Sequence, residues 1–366
     1  MNIKSVGIVG AGTMGTGIAI NVAQSGFSVY LTDLSEAALE RAVTAARTFF
    51  GRAAEKGRIT QEQADQATAR ISTGTDLAPL AGCDLVIEAV FEDLDIKLDT
   101  FRKLNGVVRK DTILTTNTSC LKVSDIAQVI DDPGRFLGTH YFSPAQINPL
   151  VEVIRGDDTR EEVVDSVLDF CAKTGKKSLL CRDQNGFAVN RFFCPYTNEA
   201  VRCVDEGLAT PGQVDVVAQS VLGVAFGPFA VMNIIKPQVN LHAIRHLESL
   251  GPYYQAATSM VRVGDAGESW KLEEDNGTPP EEAASRVGER LLGSTFLTVL
   301  QALDEEVAEP KAFDMGAEMA LRFGNPPCRT MDAMGRGEVE RLLRPLCESY
   351  GTPLPNSLAR VGSLVS

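Results

Sequence analysis

The sequence predicts a Rossmann-type α/β domain built on a doubly wound parallel sheet, followed by an all-α domain that contains two repeated helical modules. Up to residue 184, apolar runs of strand length alternate with helical patterns, which is typical of a parallel sheet covered by helices. Beyond that point the apolar residues follow helical spacing. Because a single core rarely grows past about 250–300 residues, a chain of 366 residues is expected to divide. We therefore predict domains at residues 1–184, 185–284 and 285–366.

The composition is that of an ordinary globular protein, with 44% hydrophobic and 23% charged residues. No apolar run approaches the roughly 18 residues of a membrane span, so we expect no membrane partner. The amino terminus lacks the pattern of a secretory signal, and we expect a cytoplasmic protein. Sequence-independent nucleic-acid binding requires clustered Lys and Arg, whereas this chain has a net charge of −13. We therefore expect no nucleic-acid partner.

A glycine-rich turn follows the first predicted strand. Gly10 makes the tight turn, Gly12 lets a pyrophosphate approach the backbone, and Gly15 lets the next helix pack closely against the strand. Thr13 and Met14 belong to the same turn, and the helix that follows offers free N–H groups and a positive dipole end to the anion. Strand, glycine turn and helix together predict a dinucleotide-binding site.

The second predicted strand leads to Asp33, twenty-one residues after Gly12. At this spacing a carboxylate accepts hydrogen bonds from the ribose hydroxyls of the adenosine half of a dinucleotide. No Arg or Lys follows Asp33 closely to neutralise a 2′-phosphate, which the carboxylate would repel, so we predict NAD rather than NADP. The alternative is that Asp33 only caps the following helix, predicted at residues 35–50.

Polar residues stand where further strands of the predicted sheet end. The predicted strands are residues 6–9, 27–31, 84–90, 112–116, 136–141 and 150–154. Ligands of doubly wound sheets bind beyond the carboxyl ends of the strands. The polar residues near these ends are Glu92, Asn117, Ser119 and His140.

His140 is one of only three histidines in the chain. Ser119 lies twenty-one residues before it and Glu152 twelve residues after it. Oxidation of an alcohol removes a hydride and a proton, and a neutral imidazole beside a nicotinamide can take the proton. The alternative is a core histidine with satisfied hydrogen bonds, but the two polar partners favour catalysis.

Five segments between residues 6 and 215 stand in the order and spacing of a known family. They are GIVGAGTMGTGIA, DLVIEAVFEDLDIKLDTFRKL, TTNTSCL, GTHYFSPAQINPLVEVIRG and GFAVNRFFCPYTNEAVRCVDEGLATPGQVD. The sequence resembles the L-3-hydroxyacyl-CoA dehydrogenase family, including the dehydrogenase part of the multifunctional fatty-acid oxidation enzymes. The resemblance implies NAD-dependent interconversion of 3-hydroxyacyl and 3-oxoacyl thioesters.

The resemblance also implies roles for individual residues. His140 would be the general acid/base and Glu152 the carboxylate that orients it, while Ser119 and Asn190 would hold the substrate oxygen near the imidazole. The residues along the nicotinamide half of the cofactor would be Glu92, Lys97 and Asn117. The alternative for Asn190 is a polar residue of a buried helix, bonded to a neighbouring backbone group.

Two departures from the family pattern leave the substrate open. Residues 145–149, AQINP, stand where relatives have apolar residues and a Met or Lys, which indicates a smaller or more polar acyl group. Relatives contact CoA with lysines of the helix after Asp33, whereas this helix offers Arg41 and Arg47 but no lysine before Lys56. A thioester on an acyl carrier protein is therefore an alternative to CoA. Further alternatives are a free hydroxy or sugar acid as substrate and a non-catalytic NAD-binding protein.

The helical part repeats itself with a shift of 99 residues. Asp205, Glu206, Pro211 and Asp215 recur as Asp304, Glu305, Pro310 and Asp314. A helical module has therefore been duplicated. This module dimerises in single-copy members of the family, so two copies in one chain predict that dimerisation is possible but not obligatory. The connection at residues 264–282 is rich in Gly, Pro and acidic residues, holds the only tryptophan, and is predicted to be exposed.

The sequence predicts no metal site. The eight cysteines include no CxxC pair and several lie in apolar runs, so we expect neither zinc nor disulfides. His242 and His246 stand four residues apart on a predicted helix, but no acidic third ligand lies at a recognisable offset.

Overall fold

The structure, a computed structural model, describes residues 3–273 and 277–365. It divides the chain into two compact units, Met1–Asp183 and Gln184–Ser366. The domain boundary that we predict after residue 184 lies one residue further along the chain. The division of the helical part at residue 284 stays a prediction.

The first unit is built on one sheet. Its strands are β1 Ser5–Val9, β2 Ser28–Thr32, β3 Ile71–Gly74, β4 Leu85–Glu88, β5 Ile113–Thr116, β6 Phe136–Tyr141, β7 Leu150–Arg155 and β8 Lys177–Arg182. Within the described residues the sheet has eight strands in the order β3-β2-β1-β4-β5-β6-β7-β8. Strands β1 to β6 are parallel, which confirms the predicted Rossmann-type fold.

The last two strands run in the opposite direction. β7 is antiparallel to β6, and β8 is parallel to β7. Only residues 142–149 join β6 to β7, and a parallel crossover needs about a dozen residues or more. The short connection therefore makes β6 and β7 a hairpin. The edge strands β3 and β8 are missing from the prediction because exposed positions interrupt their apolar pattern.

Helices cover the sheet. They are α1 Thr13–Gln24, α2 Glu36–Glu55, α3 Gln61–Ala69, α4 Leu94–Asn105, α5 Val123–Ala127 and α6 Glu161–Lys173. Local sequence fixes where two of them begin. The Ser35 side chain accepts a hydrogen bond from the Ala38 N–H at the start of α2, and Thr60 forms a capping box with Gln63 at the start of α3.

The second unit is helical. Its helices are α7 Val189–Asp205, α8 Pro211–Leu222, α9 Pro228–Ile235, α10 Pro237–Arg245, α11 Thr258–Ala266, α12 Glu281–Asp304, α13 Pro310–Ala320, α14 Pro327–Met334 and α15 Arg336–Tyr350. The internal repeat extends to individual hydrogen bonds. The Asp215 carboxylate accepts hydrogen bonds from two N–H groups at the start of α9, and Asp314 does the same at the start of α14. The two copies therefore share local structure as well as sequence.

Two ion pairs join the copies reciprocally. Arg191 of the first copy pairs with Glu305 of the second, and Arg290 of the second pairs with Glu206 of the first. Each pair maps onto the other at the 99-residue shift. Such reciprocity is characteristic of an isologous interface, in which the same surface patch is used on both sides. The duplicated modules thus pack on each other as two identical subunits would.

The connection between the copies is anchored at Trp270. Most described residues of this connection are exposed, as the sequence predicts, but the Trp270 side chain is an exception: it is only 7% exposed, and its ring lies edge-on to Phe229 at 5.0 Å. The Asn233 side chain bonds to both the N–H and the carbonyl of Trp270. Burial of the large indole outweighs the polar composition around it. Residues 274–276 of this connection lie outside the described residues.

Two further expectations concern membrane spans and cysteines. In the described part of the chain, no helix has both the length and the apolar content needed to span a membrane. All eight cysteines are buried, and none forms a disulfide within the described residues.

Candidate active site

The glycine turn adopts the geometry that a dinucleotide site requires. Gly10 has a φ of +106°, and a Cβ there would lie 2.5 Å from the carbonyl oxygen of Ala89. A Cβ on Gly15 would lie 1.8 Å from the Gly10 oxygen, so only glycine permits this approach of α1 to β1. Gly12 is exposed, a Cβ there would have no neighbour within 4 Å, and Thr13 and Met14 follow as the first turn of α1. The turn therefore leaves room for a phosphate above the start of α1.

Asp33 ties the end of β2 to the glycine turn. One carboxylate oxygen accepts a hydrogen bond from the Ala11 N–H at 2.7 Å, and the other accepts one from the Ser35 N–H at 2.9 Å. Ser35, not Asp33, supplies the side-chain cap of α2. The partly exposed carboxylate is thus held beside the glycine turn, as a ribose ligand would be.

His140 and Glu152 form a buried pair. The Nδ1 atom of His140 lies 2.7 Å from a carboxylate oxygen of Glu152. The two residues are directly opposite each other in the antiparallel register of β6 and β7. The Phe142 ring lies 4.5 Å from the imidazole ring and limits its rotation. Because the carboxylate engages Nδ1, the Nε2 atom is the one that can exchange a proton with a substrate.

Glu92 organises the polar groups that follow β5. One of its carboxylate oxygens accepts hydrogen bonds from the Thr118 hydroxyl at 2.5 Å and from the Ser119 N–H at 2.8 Å. The Ser119 hydroxyl lies 3.3 Å from the same oxygen. Burial raises the pKa of Glu92, but the charge of Lys97 and the hydrogen bonds from Thr118 and Ser119 outweigh it and lower the pKa to about 2. The carboxylate is therefore ionised and holds Ser119 in place.

Lys97 is buried beside Glu92, and its side chain is 1% exposed. Its ammonium group is 2.7 Å from a Glu88 oxygen and 3.3 Å from a Glu92 oxygen. Burial lowers the pKa of Lys97, but the two carboxylates more than compensate and raise it. The other Glu88 oxygen accepts a hydrogen bond from the Thr116 hydroxyl at 2.6 Å. The Lys97 ammonium group thus affects the site indirectly, by pairing with the carboxylates of Glu88 and Glu92.

Glu88 is a member of this cluster that the sequence prediction misses. It is fully buried at the end of β4. A signal for it is present in the sequence, since a charged residue that ends an apolar strand needs a partner, and Lys97 follows nine residues later. Asn117 directly follows β5 and lies apart from the Glu88–Glu92–Lys97 cluster. Its side-chain oxygen accepts a hydrogen bond from the Tyr141 N–H at 2.9 Å. Asn117 therefore links the end of β5 to the strand that carries His140.

A cavity of about 850 Å³ opens beside the glycine turn, between α1, α2 and residues 144–147. Among the described residues, four cationic side chains line it: Arg41, Arg52, Lys56 and Arg58. None of the four has an acidic partner within 4 Å in residues 3–273 and 277–365. Arg47 faces a separate cavity together with Glu36 and Glu40. Of the two α2 arginines singled out in the sequence, only Arg41 belongs to the cation-lined cavity.

Asn190 belongs to the second unit, where it lies in the first turn of α7. The next residue, Arg191, is buried, donates a hydrogen bond to the Tyr254 hydroxyl at 3.2 Å and pairs with Glu305. The start of α7 is therefore fixed within its own unit.

The chain also matches a known protein family over most of its length. Residues 5–184 match the profile described as 3-hydroxyacyl-CoA dehydrogenase, NAD binding domain, and residues 186–275 match that of the C-terminal domain of the same family. The chain belongs to the 3-hydroxyacyl-CoA dehydrogenase family. It is a family of NAD-dependent oxidoreductases, and NAD is the cofactor of its first domain.

Individual relatives extend the comparison. A probable 3-hydroxybutyryl-CoA dehydrogenase of Deinococcus radiodurans is 38% identical over 63% of this chain and 82% of its own. The fatty acid oxidation complex subunit alpha of Psychrobacter arcticus is 27% identical over 95% of this chain and 53% of its own. The chain thus spans about half the length of some curated relatives that it matches.

A solved structure shows the same fold over the whole chain. The 3-hydroxybutyryl-CoA dehydrogenase of Escherichia coli K12 superposes with a TM-score of 0.91 at 24% sequence identity. The match covers 99% of this chain and 98% of the other. At this identity the similarity establishes the fold, including the duplicated helical part.

Proposed function

We propose that this chain interconverts 3-hydroxyacyl and 3-oxoacyl thioesters with NAD, and that His140 is the general acid/base. The observation that carries the proposal is the 2.7 Å contact between the buried His140 and Glu152 side chains. His140 lies on β6, the last strand of the parallel part of the sheet, and Glu152 lies on β7, which forms a hairpin with β6. Histidine supported by a carboxylate is suited to moving one proton in each direction.

The proton transfer follows from the state of the imidazole. With Nδ1–H donating to Glu152, the Nε2 lone pair takes the hydroxyl proton of the substrate, and the Glu152 carboxylate stabilises the imidazolium that forms. In the reverse direction the imidazolium returns that proton to the carbonyl oxygen. Bound NAD supplies the hydride acceptor, and NADH the hydride donor. Such acid/base assistance is typically worth about 10²–10⁴ in rate.

The neighbouring polar groups orient the reactants. We infer that the Ser119 hydroxyl, steadied by Glu92, contacts the substrate oxygen, and that Asn190 contributes an amide to the same oxygen. Glu92 and Asn117 would face the nicotinamide half of the cofactor, with Lys97 and Glu88 supporting Glu92 from below. Gly10, Gly12, Gly15 and the first turn of α1 would hold the pyrophosphate, and Asp33 the ribose.

The cation-lined cavity favours CoA over a carrier protein. The nucleotide of CoA carries a diphosphate and a 3′-phosphate, whereas the prosthetic arm of an acyl carrier protein carries one phosphodiester. Four cations without acidic partners, in a chain of net charge −13, indicate a site for a multiply charged ligand. Arginines thus provide the charge for which relatives use lysines.

The test follows NADH consumption with 3-oxoacyl thioesters of varied length and polarity, each presented on CoA and on an acyl carrier protein. We expect turnover with CoA thioesters, at a lower KM than with the carrier protein, and a preference for short or polar acyl groups because residues 145–149, AQINP, stand where relatives have apolar residues. Turnover only on the carrier protein would replace CoA by that partner. Turnover only with free hydroxy acids would overturn the thioester assignment, and NAD binding without any turnover would overturn the enzymatic one.

A further inference from the structure

A buried lysine outside the proposed catalytic groups holds the hairpin loop that joins β6 to β7. Lys176 precedes β8 and is 5% exposed. Its ammonium group donates hydrogen bonds to the carbonyl oxygens of Ala145 and Asn148, both at 2.6 Å. The two carbonyls flank Gln146 and Ile147 in the sequence. Lys176 therefore grips this short loop at both ends.

The gripped loop is internally ordered. The N–H groups of Ile147 and Asn148 both donate to the carbonyl oxygen of Pro144, at 2.9 Å each. The Asn148 side chain accepts a hydrogen bond from the Leu150 N–H at the start of β7. The loop is thus a tight turn, and its Ala145 and Asn148 carbonyl oxygens accept hydrogen bonds from Lys176.

The loop forms one wall of the cation-lined cavity. Pro144, Gln146 and Ile147 line the cavity opposite α2. The loop also rests on α1, where a Cβ added to Gly17 would lie 2.7 Å from the Gln146 side-chain oxygen and 3.1 Å from the Ala145 Cβ. Movement of this loop would change the width of the cavity directly.

The environment of Lys176 is short of negative charge. Within the described residues no carboxylate lies within 4 Å of its ammonium group, whereas buried lysines are ordinarily paired. Tyr141 of β6 presents its ring at 6.0 Å, and Cys171 is the titratable group that faces the lysine from α6. Residues 145–148 contribute no titratable side chain, and Lys177 of β8 is exposed. The two carbonyl bonds are therefore the main compensation for burying this cation.

We propose that Lys176 is a positioning residue that fixes the cavity wall formed by residues 144–147 and so sets the affinity for the acyl thioester. The proposal rests on the proposed function, because that cavity is assigned to CoA. The Lys176 ammonium group bonds to the Ala145 and Asn148 carbonyls, not to the His140–Glu152 pair, which we call the dyad. The dyad is held by the register of β6 and β7, so loss of the lysine alters binding more than chemistry.

Three variants test the assignment. We expect Lys176→Met to raise the KM for a 3-oxoacyl-CoA about tenfold while kcat changes less than about threefold and the KM for NADH stays the same. Lys176→Arg keeps a cationic donor and is expected to restore most of the affinity. Lys173→Met is the matched control, since Lys173 is an exposed residue of α6 that pairs with Asp169. An unchanged KM in Lys176→Met, or equal losses of kcat and cofactor affinity that Arg fails to restore, would overturn the proposal.

Direct binding keeps this test separate from that of the enzymatic activity. Calorimetric titration with CoA alone measures the cavity without turnover, and we expect Lys176→Met to weaken CoA binding about tenfold relative to the unmodified chain. If no thioester is turned over, the proposed function is wrong, but the CoA affinities of the two proteins can still be compared. Equal CoA affinity of Lys176→Met and the unmodified chain would overturn the positioning role of Lys176, whether or not the chain is an active dehydrogenase.

The pH dependence gives a second readout. Burial lowers the pKa of Lys176 to about 8, and loss of its charge weakens hydrogen bonds that are charge-assisted. Burial also raises the pKa of Tyr141 well above 10 and that of Cys171 to about 12, so neither changes charge near pH 8. We therefore expect the CoA dissociation constant to rise between pH 7 and 9 in the unmodified chain and to rise less in Lys176→Arg. Parallel profiles for the two proteins would contradict the role of this charge.

Discussion

The side chains of His140 and Glu152 meet at 2.7 Å because the two residues are cross-strand partners in the β6–β7 hairpin. Their contact is therefore set by backbone pairing, and neither side chain needs a special conformation of a loop to reach the other. Directly opposed residues on one face of an antiparallel pair have Cβ atoms about 4.5–5.5 Å apart, which suits a His–carboxylate hydrogen bond. The arrangement gives the imidazole a fixed tautomer and a fixed direction.

Removal of the imidazole should abolish proton transfer and spare cofactor binding. We expect His140→Ala to lower kcat by at least about a hundredfold, because the rate loses its acid/base contribution. The affinity for NADH, measured by fluorescence titration, should barely change, since the glycine turn and Asp33 are untouched. Turnover close to that of the unmodified chain would remove His140 from the mechanism.

Neutralising the carboxylate should act through the histidine. In Glu152→Gln the imidazolium loses its stabilising charge, and the side-chain amide can donate to Nδ1 and so favour the wrong tautomer. We expect kcat to fall by at least about tenfold while the KM for the thioester changes little. Steady-state kinetics measure both, with the circular dichroism spectrum as a control for folding. A lower affinity without a lower kcat would assign Glu152 to binding instead.

The sequence predicts those parts of the site that follow from short motifs and apolar runs. It misses those parts that depend on which helices, strands and loops pack against each other. The glycine turn, Asp33 and β6 lie where their motifs and apolar runs put them. Glu88 escapes because a charge at the end of an apolar strand signals the need for a partner, but the sequence does not single out Lys97 until β4 and α4 are packed. Lys176 escapes for a related reason, since its partners are backbone carbonyls, which leave no trace in side-chain patterns.

The charge on Glu92 should make stability depend on acid pH. Its folded-state pKa of about 2 lies below the ordinary value of 4.5, so the unfolded chain takes up the proton first as the pH falls. The stability that this carboxylate contributes is complete above about pH 5 and is lost as the pH falls toward 2. We expect Glu92→Gln to lower the urea midpoint at pH 6 and to lower it less at pH 3. A difference that is the same at both pH values would show that the carboxylate is not held in its charged form.

The reciprocal ion pairs between the repeated modules predict the oligomeric state. Arg191 with Glu305 and Arg290 with Glu206 already form an interface of two-fold character inside one chain. A second chain therefore finds this surface occupied. We expect sedimentation equilibrium at micromolar concentration to give a mass near 39.3 kDa. A stable species of twice that mass would show that another surface mediates dimerisation.

At one pair of equivalent positions in the repeat, the first copy has a lysine in a strained backbone conformation, and the second copy has a glycine, which adopts a similar conformation without strain. Lys236 joins α9 to α10 at φ +77° and ψ +130°, and its counterpart at the 99-residue shift, Gly335, joins α14 to α15 at φ +81° and ψ +157°. Residues other than glycine pay about 1–3 kcal/mol in this region of backbone conformation. Glycine in turn loses more entropy on folding, by roughly 0.4–1 kcal/mol. We expect Lys236→Gly to stabilise the chain by about 1 kcal/mol, because the relief of strain outweighs the added entropy.

The reverse change supplies the matched comparison. A Cβ on Gly335 would have no neighbour within 4 Å, so Gly335→Ala adds backbone strain without a steric clash and should destabilise by about 1–3 kcal/mol. Gly337 lies two residues on, inside α15, with equally open surroundings, and Gly337→Ala should stabilise by roughly 0.5–1 kcal/mol because alanine favours a helix. Urea unfolding followed by the emission of Trp270, the only tryptophan, reports on all three variants from within the second unit. Destabilisation by Lys236→Gly would mean that the lysine side chain makes a compensating interaction larger than the strain.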